Sequence, residues 1–559
     1  MYQCPSCGAG LIFNPKNQML ECYYCNNTYN PKEIEKLHLQ EAKGEKTIQQ
    51  VGPQENQQQV DDNLNKDVYD AIVYRCTQCG AELITTDETI STFCSYCGSS
   101  AILEKRNAKK QKPNYIIPFT KTKEECEKAY RNKLKRAFFA PSNMAKDQQV
   151  EKIRGIYMPY WIYSFEKDGT QSAIGSKYAG RAGDYVYYDE YTILTNINAK
   201  CSGITHDAAS NFSDSLSESI APFSVKEKKE FSPTYLAGFY ADSEDVVSDT
   251  YVDESNSIVN KQASKELMKD SIYSKYKAKP NVELEPKTAE LGLFPVYFLS
   301  TKNRKGDRIS YAVVNGQTGK VAADIPIDFK KYILASLILA IPIFILLNLF
   351  FTLTPHKVLI LAIIFNIIIL IISNKQVNKI FDRENNLEDK GYINKKTGKT
   401  IFNQKQKNKS EIGPIRVFIL FFTIFLCAMV VLAAGPMGII GLGAFLLFGM
   451  SLTSEKDRHT NKSKEKKKFS NGKDRYTNKR EEKMKFSEKI KKIYKPIIGI
   501  IIAIVIFILN PVSDLFYYGG TIISIIMTIW SFYDIIKELN LLTTRKLPQL
   551  EKRGGDENA

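Results

Sequence analysis

Eight of the eleven cysteines stand in four Cys-x-x-Cys pairs, and these are the residues best suited to chemistry. Cys4 and Cys7 are followed by Cys22 and Cys25; Cys76 and Cys79 are followed by Cys94 and Cys97, with an offset of 72 at all four positions. A zinc ion takes four ligands in a tetrahedron, and each pair offers two thiolates from one tight turn. The 14 residues between paired knuckles leave room for a strand, a turn and a strand, the plan of a zinc ribbon. Gly8, Gly80 and Gly98 directly follow the second cysteine of a pair, and Asn26 holds that place in the fourth. Such a turn favours positive φ, which these residue types tolerate. His38, His206, His356 and His459 all lie outside the repeats. Two all-cysteine zinc sites per chain are therefore expected, structural rather than catalytic, because four thiolates leave no open position. Redox disulfides and rubredoxin-like iron are the rival readings of the same residues.

Other motifs carry less. Thr318-Gly319-Lys320-Val321 lacks the Ser or Thr of a phosphate loop. Gly398-Lys399-Thr400 has that ending, but Ile393 stands where the loop needs glycine. Both read as turns. Cys201, His206 and Asp207 are close in sequence, which is not triad geometry. Tyr157, Tyr160, Trp161 and Tyr163 read as sheet core, and Cys126 and Cys427 as lone buried thiols.

The elements that position the cysteines divide a 559-residue chain into several units. Residues 1–30 form the first ribbon, 31–73 a short helix and a Gln-rich linker, 74–103 the second ribbon, and 104–114 a short basic linker. The Gln-rich segment has too little apolar surface to bury and is expected to uncouple the ribbons. Residues 115–331 read as an α+β domain with an antiparallel sheet. Thr122 and Glu125 make a capping box that opens a helix ending before Pro141. Strands are expected over 156–165, 185–196, 296–300 and 309–314, with a turn at Asn315-Gly316 and a returning strand from Val321.

After Lys331 six apolar stretches follow: Tyr332–Leu353, Val358–Ile372, Val417–Ala434, Met437–Leu452, Ile497–Leu509 and Leu515–Phe532. They form three close pairs, and none contains a charge. A membrane domain of three helical hairpins, residues 332–533, fits this pattern. The charge is lopsided. The chain has 77 basic and 61 acidic groups, net +16, yet residues 1–331 carry 43 of each. The excess lies in the joints 374–415 and 453–495. Positive loops stay in the cytosol, so the ribbons, the α+β domain and a tail over 534–559 are expected there too. These loops, held against the cytosolic leaflet, suit anionic lipid.

The ribbons themselves are neutral or acidic: residues 1–30 balance Lys16 against Glu21, and 74–103 set Arg75 against Glu82, Asp87 and Glu88. Phosphate contacts need Lys and Arg, so a protein partner is favoured over nucleic acid. Tyr2–Gly8, Gly155–Trp161, Phe231–Phe239 and Val314–Lys320 resemble the TFIIB-type zinc-ribbon membrane proteins of Firmicutes, often labelled primosomal-helicase-like. The resemblance covers roughly residues 1–330. Some relatives accompany phage-shock and flotillin-like proteins, which implies a place in envelope-stress assemblies. This chain departs from them in having two ribbons and three apparent hairpins. The reading is a non-enzymatic, membrane-embedded zinc-ribbon adaptor that recruits a cytosolic protein. A membrane-tethered nucleic-acid-binding protein is the first alternative, and an enzyme or transporter the second.

Overall fold

The structure is a computed structural model, and it describes residues 2–48, 68–85, 94–99, 103–267, 275–278, 282–303, 308–350, 354–384, 389–391, 494–509 and 513–546. Most of the Gln-rich segment, the spans expected at 417–452 and most of both basic joints lie outside the described residues. The chain divides into two compact units: residues 1–328, 382–403 and 543–559 form one, and residues 329–381 and 404–542 the other.

The first unit is α+β. It opens with a small antiparallel sheet of β1 (Leu11–Asn14), β2 (Met19–Cys22) and β3 (Thr28–Tyr29), followed by helix α1 (Pro31–Ile48). A 13-stranded sheet takes the rest: β4 (Val68–Cys76), β5 (Glu82–Thr85), β6 (Leu103–Gln111), β7 (Tyr115–Ile116), β8 (Arg154–Ala182), β9 (Tyr185–Asp207), β10 (Lys229–Glu230), β11 (Tyr240–Ala241), β12 (Lys275–Ala278), β13 (Glu285–Lys302), β14 (Arg308–Asn315), β15 (Val321–Ala323) and β16 (Arg545–Lys546). Helices α2 (Lys123–Lys135), α3 (Asp147–Val150), α4 (Asp214–Ile220) and α5 (Val252–Leu267) join its strands. Pairing is antiparallel throughout, except for two short parallel contacts, β11 with β8 and β13 with β7. The expected capping box is present at α2: the Glu125 amide donates to Thr122 Oγ1 and the Glu125 carboxylate accepts from the Thr122 amide.

Strand periodicity explains how this sheet is buried on both faces. In β8, Ile156, Met158, Tyr160 and Ile162 join one core, whereas Tyr157 points into another. In β13, Phe294, Val296 and Phe298 join the first of these, and Leu293, Tyr297 and Leu299 the second. Successive side chains of a strand point to opposite faces, so the two cores lie on opposite sides of one sheet. The tyrosines in the first half of this strand are accordingly core residues: Tyr157, Tyr160 and Tyr163 are all buried.

Four sequence expectations change here. Residues 104–114 are not a linker: β6 pairs with β4 from Leu103 opposite Cys76 to Gln111 opposite Val68. Its lysines and arginines suit a sheet edge, and Arg106 is held 2.6 Å from Glu82. The end of the expected linker before residue 74 is likewise strand, since β4 begins at Val68. The two ribbons are not uncoupled modules. Leu11, Phe13 and Leu20 of the first share a core with Val73, Ile84 and Tyr157, and all four cysteines of the second share the opposite core with Met158 and Phe298. The expected tail from residue 534 also has structure: the last helix runs to Leu542, and β16 then pairs with β14. Beside it, Arg308 reaches Glu384 and Arg383 reaches Asp324, at 2.5 and 2.9 Å.

The second unit is helical. It contains α6 (Phe329–Phe350), all but the charged end of α7 (Pro355–Glu384), and helices Tyr494–Leu509 and Asp514–Leu542. Gly520 lies so close to Ile506 that a Cβ there would sit 1.8 Å from its Cδ1. Small residues allow such approach between helices. Asn366 donates to Thr528 Oγ1 at 3.0 Å, and Lys495 bonds Asp534 and lies 4.4 Å over Trp530. Among the described residues one helix, Leu515–Leu542, is long and apolar enough to cross a membrane; Lys357–Ser373 and Tyr494–Leu509 are shorter apolar stretches.

Candidate metal centres

Both cysteine tetrads assemble. In each, the four Sγ atoms lie within 4.8 Å of one another. Across the first site, Cys4 to Cys25 and Cys7 to Cys22 are 3.5 Å apart; across the second, Cys76 to Cys97 and Cys79 to Cys94 are 3.7 Å apart. Four sulfurs at about 2.3 Å from a tetrahedral zinc stand about 3.8 Å from each other. The donor set therefore fits zinc at both places.

The backbone shows why these sequences make these turns. The amides of Gly8, Asn26, Gly80 and Gly98 each donate at 2.8 Å to the carbonyl of the cysteine four residues earlier. Each of the four residues has positive φ, between 57° and 74°. A second bond closes every knuckle, from the amide of Cys4, Cys22, Cys76 or Cys94 to the carbonyl five residues on. Spacing and the αL residue thus encode four copies of one loop.

Electrostatics separates the thiols within each set. Burial pushes Cys4 up, but hydrogen bonds from Tyr29 and nearby amides outweigh it and bring the thiol to about 6. At Cys7 the Ala9 amide pulls down, but partial desolvation and the neighbouring thiols prevail and push it up to about 12. In the second set the neighbouring thiols pull Cys76 down and push Cys94 up. Four thiolates this close repel one another, and a bound dication removes the conflict.

The duplicated sites differ in their surroundings. All four cysteines of the second are buried, whereas Cys7 of the first is exposed and Cys25 half-exposed. Tyr24 and Tyr96 occupy equivalent positions of the repeat, yet Tyr24 is 77% exposed and Tyr96 is 1% exposed. Tyr96 donates to Asp242 Oδ2 at 2.5 Å, packs against Phe298, and accepts at its carbonyl from the Tyr311 hydroxyl. Tyr23, beside Tyr24, is 72% exposed. It lines an open groove of about 1100 Å³ with Ile12, Lys16, Arg154 and Phe239.

The remaining motif residues fall elsewhere. Thr318-Gly319-Lys320 is the hairpin loop between β14 and β15, closed by the Gly319 amide on the Asn315 carbonyl. The second Gly-Lys sequence lies outside the described residues, as does Cys427. On the β8–β9 ladder, Cys201 stands opposite Phe165 and His206 opposite Trp161, so thiol and imidazole are spread along one strand. Cys126 is buried, as read.

Spacing did not reveal a second titratable cluster. Asp207 and Asp389 are buried and Asp214 is half-buried; burial raises Asp207 well above the usual carboxylate range, with repulsion from Asp214 and Asp389 adding, and burial raises Asp214 against the pull of the Lys390 amide and the Tyr251 hydroxyl. Asp214 accepts from Tyr251 at 2.7 Å and from the Lys390 amide at 3.0 Å. His206 stacks on Tyr251 at 4.8 Å, and burial lowers it to about 4. Lys390 pairs with Glu254, and Arg545 donates to Ser213. These groups tie residues 389–391 and 545–546 to the rest of the α+β unit. They come from distant segments, so no local pattern could have signalled them.

Comparison with known proteins adds one distant relative. The chain is 29% identical over 319 residues to the uncharacterised protein YdjG of Bacillus subtilis, covering 46% of this chain and 92% of the relative. No family model matches the chain. No solved structure matches it.

Proposed function

We propose that the chain is a membrane-embedded adaptor whose zinc ribbons face the cytosol and recruit a protein partner to the bilayer. The observation that carries this reading is the asymmetry of the ribbons. The second is sealed in the core, which suits a structural knot. The first offers Tyr23 and Tyr24, 72% and 77% exposed, beside an open groove. Exposed aromatic residues next to a concave surface are typical anchors of protein interfaces. A neutral ribbon supplies little for phosphate, so nucleic acid remains the alternative. The resemblance to zinc-ribbon membrane proteins, some of which accompany phage-shock and flotillin-like proteins, favours a flotillin-like or phage-shock-like scaffold as the partner.

Removing residues 1–113 would also strip β4, β5 and β6 from the large sheet, so a surface change is the cleaner perturbation. Tyr23→Ala with Tyr24→Ala should leave two zinc ions bound and reduce the membrane association of a cytosolic scaffold protein by about tenfold or more. Quantifying cytosolic proteins in washed membranes checks this. Unchanged association, together with salt-dependent DNA or RNA binding by the purified chain, would replace the adaptor with a nucleic-acid reading.

The same proposal places three helical hairpins in the bilayer. Its support is the apolar surface of the helices: Leu334, Ile338, Leu349, Leu515 and Ile529 are each more than 60% exposed. Water does not tolerate so much apolar surface on a monomer. Anionic lipid on the cytosolic side suits the basic joints. Asn461→Cys in intact cells should react with a membrane-impermeant maleimide only after lysis; labelling before lysis would reverse the orientation.

A further inference from the structure

β8 and β9 form a ladder from Tyr160 opposite Asp207 to Ala182 opposite Tyr185. At about 3.3 Å per residue it is about 75 Å long. On the other side of β8, β13 runs only as far as Glu166, and β12 adds a short third strand at 174–176. Among the described residues β9 pairs with β8 alone. The outer part of this arm is therefore a narrow ribbon. Over residues 185–192 its side chains are exposed on both faces, with Tyr185 and Tyr187 at 76% and 55%; further in, Leu194 is 70% exposed while Ile193, Thr195 and Ile197 on the other face are half-buried. A two-stranded ribbon is marginally stable in water, and an open edge is a template for another strand.

We propose that two copies of this chain pair through the outer edges of β9, antiparallel about a two-fold axis at Thr195. Symmetry restricts the registers. Directly opposite residues must present the same face, so their numbers sum to an even value, and the axis passes through a residue. Only the axis at Thr195 brings Glu190 opposite Lys200 of the second copy, and symmetry makes that pair twice. The same register sets Ile193 against Ile197 and Tyr191 against Ala199, an apolar pair and a large-against-small pair on one face. Glu190 is exposed, and Lys200, 68% exposed at its side chain, pairs with Glu166 at 3.0 Å, a surface contact of the kind that contributes little and that pairing with a second copy would exchange. Pairing would turn two narrow arms into one continuous sheet with twice the strands.

The test uses the full-length protein in detergent micelles, in a Cys201→Ser background. Thr195→Cys should cross-link to a covalent dimer under mild oxidation, because opposite residues of an antiparallel pair have Cβ atoms about 5 Å apart. Asn198→Cys should not, since its own copy lies six residues, or about 20 Å, along the strand. Without cysteine changes, Glu190→Lys or Lys200→Glu should each weaken dimerisation by about tenfold, and the double reversal should restore it. Equal cross-linking at 195 and 198, or no rescue by the double reversal, overturns the proposal. So would a monomeric protein whose arm, labelled at position 187, is quenched by brominated lipid; that result would assign the tyrosines to headgroups.

Discussion

Cys94→Ser should remove one of two zinc ions and, with it, the cooperative unfolding of the α+β unit; Cys7→Ser should remove or weaken the other zinc and leave the large sheet folded. The contrast follows from burial. Cys94 is fully buried in a core that includes Met158, Phe294 and Phe298. Loss of metal there leaves three buried thiols, the other ligands of the site, with no cation to hold them as thiolates. Structural zinc contributes about 10–16 kcal/mol of apparent binding energy, comparable to the whole stability of about 5–15 kcal/mol of a typical domain. Cys7 is exposed, so water can meet the altered position and the polar groups around it. The variants are compared by elemental analysis and by urea unfolding followed by circular dichroism. Equal loss of structure in both would contradict the division into a sealed and an open site, and iron in place of zinc would contradict the metal assignment.

A second large effect is expected at Asp242. Its carboxyl is fully buried, accepting from the Tyr96 hydroxyl at 2.5 Å and from the Ser243 amide at 2.9 Å. Burial pushes it up to about 7, against the pull of the Tyr96 hydrogen bond and with help from the Asp245 charge. An unfolded chain releases this proton near pH 4, whereas the folded chain keeps it to about 7. The folded state therefore binds the extra proton in between, and stability falls as pH rises from about 4 to about 7, then levels off. A rise from about 4 to about 7 corresponds to about 4 kcal/mol as an upper bound. Asp242→Asn keeps an oxygen for Tyr96 and cannot ionise, but gives up the Ser243 amide bond, a cost of about 1 kcal/mol. At pH 8 it should be more stable than the parent by up to about 4 kcal/mol less that cost, with a flatter profile between pH 6 and 8, where zinc thiolates are not stripped by acid. Urea midpoints across that range provide the measurement. An Asn variant that is less stable at pH 8 would mean that the carboxylate is held ionised by a favourable contact.

The two cysteine tetrads that could hold metal were legible from the residues alone because they are local. Two cysteines three apart, followed by a residue that accepts positive φ, suffice to dictate a closed loop, and four copies of that pattern dictated four such loops. The cap at Thr122 and the turn at Asn315 were legible for the same reason: each is a hydrogen-bond pattern spanning a few residues. What surrounds those loops was not. Tyr24 and Tyr96 hold the same place in the repeat, yet one meets solvent and the other meets Asp242, 146 residues away. The basic run Lys105–Lys110 reads as a linker until β4 offers it a partner, and Arg545–Lys546 reads as a tail until β14 does. Burial depends on which distant strands face each other, and strand pairing across long sequence separations leaves no periodic trace in either segment alone. The repeat therefore determined where metal can be held, while the packing of both ribbons on opposite faces of one sheet decided which ribbon is sealed and which is open.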